Sequence, residues 1–246
     1  MLLSNVLKIN SYRLMQKSLA VIQLGFFIFS CAPAPKKTLT SDTKPIAEIC
    51  PVGFTDVSLS KKNWKIEYKS DGRIDFYSDQ IFMAPKPVHL PQHTLSTLVL
   101  SKFDIVSDNF EIIVDYKNLA ALRKHNPNPW EVFWLLFNYV PGAGDVKTAN
   151  YVVAKTNGIE MGRAAKIIDQ TYIKTADYPK ATFDEWHRLR VHKIDDALKI
   201  YFNDEFVFAI PVNQLFTAPG KIGLYSEDAS VVVKRVCLNS DIQLRH

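Results

Sequence analysis

From about Cys50 onward, short apolar runs recur with turn signals between them, and sustained helical periodicity is scarce. Residues 188–202 carry the clearest pattern. Leu189 and Val191 alternate with Arg188, Arg190 and His192, and Leu198, Ile200 and Phe202 alternate with Lys199 and Tyr201. A period of two marks strands that are apolar on one face and polar on the other. Turn residues Asp195-Asp196 and Asn203-Asp204 divide this region into three strands of a meander. A hairpin is expected where 151–156 meets 159–161 across Asn157-Gly158, a strong short-range turn signal. Residues 73–77, following the turn Asp71-Gly72, read as a strand, as do 110–116, 221–225 and 231–238. Residues 130–140 are almost wholly apolar, as expected of a strand covered on both faces. The one helix candidate is 119–124, and Trp64 and Trp186 are expected in the core. Many short strands at regular spacing indicate an all-β sandwich.

The first thirty residues follow a different pattern. The run LAVIQLGFFIFS at 19–30 carries no charge and ends at Cys31. A dozen apolar residues are too few to span a bilayer as a helix, which needs about 20, but suit the hydrophobic part of a signal peptide. Met15-Gln16-Lys17 supplies a short basic start, so translation is expected to begin at Met15. Ile28-Phe29-Ser30-Cys31 resembles the lipobox of bacterial lipoproteins. The resemblance implies diacylglyceryl transfer to the Cys31 thiol, cleavage before it and acylation of the new amino terminus. The membrane would then be a partner through a lipid anchor, since several acyl chains hold stably where one holds weakly. Ala32, rather than Asp, after the cysteine implies sorting to the outer membrane of the cell envelope. The expected organisation is a signal peptide at 1–30, a lipidated Pro-, Thr- and Lys-rich tether at 31–48, and a folded domain at 49–246.

The leader also changes the charge. The whole chain has 30 Lys and Arg against 25 Asp and Glu, a net +5. Lys8, Arg13 and Lys17 lie in the expected leader, leaving 27 basic residues against 25 acidic. No tail or face concentrates the basic residues, so no nucleic-acid partner is expected. Of three cysteines, the lipidated one removed leaves Cys50 and Cys237. In an oxidising compartment they form either a disulfide or two buried free thiols.

The order NYVVAKTNGIEMGRA, then EWHRLRVHKIDDALKIYFNDEFVFAI, then PGKIGLYSEDASVVVKRVCL, with Trp64 and Asp71-Gly72-Arg73 upstream, resembles the concanavalin A-like lectin/glucanase superfamily, of the laminin-G-like and family-16-hydrolase-like kind. The resemblance covers roughly residues 50–240. It implies a two-sheet antiparallel jelly roll whose first and last strands lie close together, which favours a Cys50–Cys237 bond. Fold alone does not give function. In this superfamily one sheet often binds glycans, and some members cleave them. The hydrolases carry Glu-x-Asp-x-x-Glu or Glu-x-Asp-x-Glu, which points nucleophile and acid from one face of a strand. This sequence lacks the triad: Glu111 and Asp115 share parity without a third member, and its other acidic pairs are adjacent. No catalytic residue is therefore expected. The alternatives are a hydrolase or lyase with an atypical site, or a structural envelope lipoprotein without a sugar ligand.

Other chemistries are weaker. His89 and His93 have metal-like spacing, but Pro91 between them argues against a helix presenting both. His187 and His192 read as surface or strand-end residues, and Gly142-Ala143-Gly144 lacks the partners of a phosphate loop. No metal ligand or cofactor is expected. A structural calcium is possible in this superfamily but unsupported, because Lys234-Arg235 stand where many members carry an Asp-Asn pair. A polysaccharide or envelope glycan is the expected partner, needing aromatic faces for sugar rings and polar groups for hydroxyls. The candidates are Trp134, Tyr139 and Tyr201, with Arg188 and Arg190 suited to an acidic sugar and Asp145 and Asn150 on a rim loop. Trp134 has a second reading as a core residue, and Arg188 and Arg190 as a solvated outer face.

Overall fold

The computed structural model describes residues 49–89, 93–123, 127–142, 147–165 and 169–244. The expected leader, Cys31, the tether and Asp145 lie outside the described residues. In chain order the strands begin with β1 (Thr55–Asp56), β2 (Trp64–Tyr68), β3 (Arg73–Phe76), β4 (Ile81–Ala84), β5 (Ser96–Ser101) and β6 (Phe103–Ile105). Then come β7 (Phe110–Ala121), β8 (Phe133–Val140), β9 (Thr148–Lys155), β10 (Gly158–Ala165) and β11 (Asp169–Ala176). The meander β12 (Trp186–Ile194), β13 (Ala197–Phe202) and β14 (Glu205–Pro211) follows, and β15 (Lys221–Glu227), β16 (Ala229–Asn239) and β17 (Ile242–Leu244) close the chain.

Among the described residues these strands build two antiparallel sheets. One runs β14-β13-β12-β7-β16-β4-β3, with β1 paired to the end of β16; the other runs β11-β10-β9-β8-β15-β5-β2. Strands β6 and β17 form a separate ladder. The architecture is the all-β sandwich expected from the strand spacing, in the two-sheet jelly-roll form that the resemblance implied. Consecutive strands β15 and β16 lie in different sheets, as do β7 and β8, so each sheet is stitched from distant parts of the sequence.

Alternation explains the main core. Leu189, Val191, Leu198, Ile200 and Phe202 face Phe133, Leu135, Phe137, Val152 and Ala154 across the sandwich, all buried. Tyr116 packs on Phe133 with ring centroids 4.5 Å apart, and Phe110 meets Phe137 edge-on at 5.9 Å. Trp64 belongs to this core, as expected. The chain ends are tied as the resemblance implied: Cys50 and Cys237 are disulfide-bonded, and beside the bond Asp56 pairs with Cys237 and Thr55 with Leu238.

Several expectations are corrected. Residues 119–123 of the expected helix are not helical, and Lys124 lies outside the described residues. Leu119–Ala121 complete β7, where Ala121 pairs with Ala229 and Ala120 with Ser230; this long-range pairing overrides the helix propensity of Leu, Ala, Arg and Lys. Trp186 is not in the core. It shares the outward parity of Arg188 and is half-buried, with the Lys117 and Lys234 ammoniums 5.3 and 4.4 Å from its ring centroid. His187 takes the opposite parity and is buried between Tyr116 and Phe202, at 5.9 and 5.0 Å between ring centroids; burial lowers its pKa. In the β9–β10 hairpin the two-residue link is Thr156-Asn157, and Gly158 (φ +138°) is the first paired residue, opposite Lys155.

Candidate functional site

The predicted site residues fall on two different sheets. Arg188, Arg190 and Tyr201 face outward from the β12–β13 region, while Trp134 and Tyr139 face outward from β8 in the other sheet. The sandwich core separates the two groups, so they do not form one site.

On the outer face of the first sheet the arginines are occupied. Asp115, on β7, lies in register between Arg188 on β12 and Arg235 on β16. Arg188 grips its carboxylate at both oxygens, Nε to Oδ1 at 2.8 Å and Nη2 to Oδ2 at 3.1 Å, and Arg235 Nη1 reaches Oδ2 at 2.9 Å. Arg188 is only 4% exposed. Arg190 pairs with Glu111 and lies over the Tyr201 ring at 4.6 Å. The Glu111 and Asp115 parity pair is thus committed to arginines on the neighbouring strands.

The outer face of the second sheet is aromatic. Strand pairing places Glu160, Val153, Trp134, Tyr225, Leu98 and Tyr68 side by side, one from each of β10, β9, β8, β15, β5 and β2. The next row reads Tyr172, Gly162, Tyr151, Leu136, Gly223 and Leu100. Gly162 is required there, since a Cβ would lie 2.2 Å from the Tyr151 hydroxyl. These apolar residues form a cluster distinct from the sandwich core, joined by half-buried Tyr68, Trp130 and Phe183. Trp134 stacks between Tyr151 (5.0 Å) and Tyr225 (5.5 Å) and donates its indole N–H to Trp130 O at 3.0 Å. At 3% and 1% exposed, Trp134 and Tyr139 are the floor of this face, not projecting platforms. Tyr172, at the β11 edge of the second row, is 48% exposed. Asn150 points the other way and is fully buried, exchanging hydrogen bonds with the backbone of Phe216 at 2.7 and 3.0 Å. Its role is to hold the 216 loop against β9.

Two polar clusters flank the aromatic rows. At one side Glu160 accepts from Lys155 Nζ (2.7 Å), Trp130 Nε1 (3.2 Å) and the Tyr151 hydroxyl (3.3 Å), and Lys155 also covers the Trp130 ring at 4.6 Å. At the other, Tyr225 donates to Glu227 at 2.9 Å, and Arg123 bridges Glu131 and Asp228 at 2.6 Å each. Burial pushes the Glu227 carboxyl up to about 8, with Asp228 and Glu131 adding to the rise and Tyr225 and Arg123 opposing it. Burial raises Glu131 and Asp228 in the same direction.

A raised carboxyl binds its proton more tightly in the folded state than in the unfolded one. Its stabilising contribution is full below pH 4.5 and is lost as pH rises through about 8. We expect Glu227→Gln to flatten the fall in melting temperature over that window. His187, with its lowered pKa, slopes the opposite way near neutrality, so the difference between variant and parent is the diagnostic quantity. Parallel pH profiles for the two proteins would show that Glu227 ionises normally.

Glu160 and Glu227 do not make a hydrolytic pair. Strands β10 and β15 are three strand spacings apart, about 14 Å, and Glu227 lies two residues further along. Acting carboxylates on a glycosidic bond stand roughly 5–9.5 Å apart. Between them on this face, β8 and β9 present Trp134, Leu136, Tyr151, Val153 and Lys155, with no carboxylate. Among the described residues there is also no group of three potential metal ligands.

The first-sheet pattern was visible in the sequence, but Tyr68, Trp130, Tyr151, Glu160, Tyr172 and Tyr225 were not picked out. Tyr151, Glu160 and Tyr225 lie on strands with apolar residues on both faces, where alternation cannot tell core from outer face; Tyr68 and Tyr172 lie on edge strands of mixed polarity, and Trp130 lies just before β8. Glu160, a carboxylate inside the apolar hairpin strand 158–161, was the available signal.

This arrangement of sheets has close structural counterparts. The carbohydrate-binding module CBM66 from Bacillus subtilis superposes with a TM-score of 0.52 at 16% identity, over 72% of this chain and 96% of that one. The beta-glucanase of Bacillus licheniformis gives 0.52 at 10% identity, over 77% and 98%. The VIP36 exoplasmic/lumenal domain in its Ca2+/Man3GlcNAc-bound form gives 0.52 at 12% identity, over 78% and 92%. The fold is a concanavalin A-like jelly roll. At these identities the likeness of the concanavalin A-like domains carries the fold alone. No protein-family model matches the chain, and no curated protein matches it in sequence.

Proposed function

We propose that this chain is an envelope lipoprotein whose concanavalin A-like domain binds a glycan without cleaving it. The observation that carries the reading is the aromatic outer face of the β11–β2 sheet, on which Glu160 and Glu227 stand on opposite sides of the aromatic rows, too far apart to act together in hydrolysis. A glycan lying across the strands would rest on the accessible rings, Tyr172 at one edge and Trp130 and Tyr68 further along, over the buried floor of Trp134 and Tyr151. The Glu160–Lys155 pair would read its hydroxyls. A carbohydrate-binding module and an exoplasmic/lumenal domain in its Ca2+/Man3GlcNAc-bound form share the fold, and a glucanase shares it too, so the wide Glu160–Glu227 spacing across the aromatic rows is what favours binding over cleavage.

Anchoring rests on the lipobox-like residues 28–31 and the polar tether that follows, and outer-membrane sorting on Ala32. Labelled palmitate should be incorporated by the parent and not by Cys31→Ser. For the domain, the detergent-solubilised full chain is expected to retain at least one polysaccharide on a glycan array. That glycan, incubated with excess protein, should show no new reducing ends. Steady release of reducing ends would overturn the non-catalytic reading, and no retention of any glycan would favour a structural envelope role.

A further inference from the structure

A second feature lies at the end of the sandwich where β16 finishes and β7 begins. There a cleft of about 450 Å3 opens between three segments: 53–55 before and into β1, 107–109 leading into β7, and 238–241 at the β16–β17 turn. The volume is within the roughly 300–1,000 Å3 usual for small-ligand sites. Its lining is polar, with Thr55, Ser107, Asn109, Asn239, Ser240 and Asp241 around a floor of buried Leu238. Residues of this lining belong neither to the aromatic face nor to the arginine ladder.

The walls are held rigidly. Ser107 donates to Asp241 Oδ2 at 2.9 Å and accepts from Asp241 N at 2.8 Å, which locks two of the segments together. The third segment is fixed by the disulfide: Cys50 lies three residues before Gly53, and Cys237 immediately precedes Leu238. The β1 ladder continues that join through Thr55 and Leu238. Gly53 (φ +87°) leaves open space toward its side-chain position.

The hydrogen-bonding capacity is only partly used. Asn109 Oδ1 accepts from Asp195 N at 2.8 Å, and its amide NH2 makes no hydrogen bond among the described residues. The Thr55 hydroxyl and the Asn239 side chain make no hydrogen bond among the described residues, and Asp241 keeps its second oxygen as an acceptor. Donors and acceptors therefore converge with one carboxylate, no cationic side chain and no aromatic ring. That chemistry disfavours anions, gives a metal ion only one charged ligand, and gives an apolar molecule only Leu238 to bury against.

We propose that this cleft is a second binding site, for a neutral polyhydroxylated ligand such as one sugar residue or a chain end, and that the Cys50–Cys237 bond builds its wall. The site stands independently of the aromatic face. The test is saturation-transfer NMR on the full chain in micelles with methyl α-glucopyranoside, methyl α-mannopyranoside and methyl β-galactopyranoside as probes, and glucuronate as the anionic control. At least one methyl glycoside should give a saturable signal and glucuronate none. The signal should persist in Tyr172→Ala and fall at least fivefold in Asn239→Leu, whose side chain is exposed and makes no hydrogen bond among the described residues, and in Asn109→Asp, which keeps the oxygen that accepts from Asp195 N and loses the amide donor. Absence of signal from all three glycosides, or a signal unchanged by both Asn variants, would overturn the proposal. A signal lost only in Tyr172→Ala would assign the sugar to the aromatic face and equally overturn it.

Discussion

Replacing Cys50 and Cys237 together with Ser is expected to cost the domain about 5 kcal/mol of folding stability. The bond joins residues 187 positions apart, so it closes nearly the whole domain into a loop. Loop-closure entropy grows with the logarithm of loop length, and this length lies at the upper end of what a single disulfide contributes. Natural domains are stable by only about 5–15 kcal/mol, so the loss would bring the reduced protein near its unfolding threshold. The two sheets should change little, because β1 contributes only a two-residue ladder to β16, while the 53–55 wall of the cleft loosens. Urea titrations of the parent with and without reductant, beside the double Ser variant, check this. The midpoint should fall sharply, and the slope should rise as the released chain exposes more surface. A midpoint indifferent to reductant would show that the unfolded chain is already compact enough to need no tie.

Trp134→Ala should unfold a comparable fraction of the protein. The ring is 3% exposed, wedged between Tyr151 and Tyr225, and its N–H is bonded to the Trp130 carbonyl. Removing it leaves a cavity in the outer cluster and takes away one of the two hydrogen bonds to the Trp130 carbonyl, which keeps that from Val132 N at 2.8 Å, for a cost of about 3–5 kcal/mol. Trp134→Phe keeps most of the packing and loses the hydrogen bond, and should cost about 1–2 kcal/mol. Chemical denaturation of both variants separates the two roles once proposed for this residue. If Trp134→Ala were as stable as the parent while glycan retention vanished, the ring would be a platform and not a floor.

How much was legible in the sequence depended on whether a strand has one polar face. In β12 and β13 the outer residues are Arg, His, Lys and Tyr, so alternation exposed both the strands and their inward side. In β8 and β9 both faces are apolar, and the same reasoning found the strands but not which residues face the sandwich. Sheet membership was hidden entirely. Arg188 and Trp134 look like neighbours in a list of ligand-binding residue types, yet they lie on opposite outer faces because β12 pairs with β7 and β8 pairs with β15. The Arg188–Asp115–Arg235 ladder likewise joins positions 73 and 120 residues apart, beyond any local pattern. Asn150 looks like a rim residue in the sequence because a polar side chain at a strand start resembles a loop tip; in the structure it satisfies the backbone of a distant loop.

Calorimetric titration of an array-selected oligosaccharide into the full-length parent, Tyr172→Ala and Arg190→Ala asks directly which face binds. Tyr172 is an exposed ring on the aromatic sheet, and Arg190 is committed to Glu111 and Tyr201 on the other. Tyr172→Ala should weaken binding at least tenfold, about 1.4 kcal/mol, with Arg190→Ala unchanged. Loss of affinity in Arg190→Ala with Tyr172→Ala indistinguishable from the parent would move the ligand to the opposite sheet and contradict the assignment of the aromatic face.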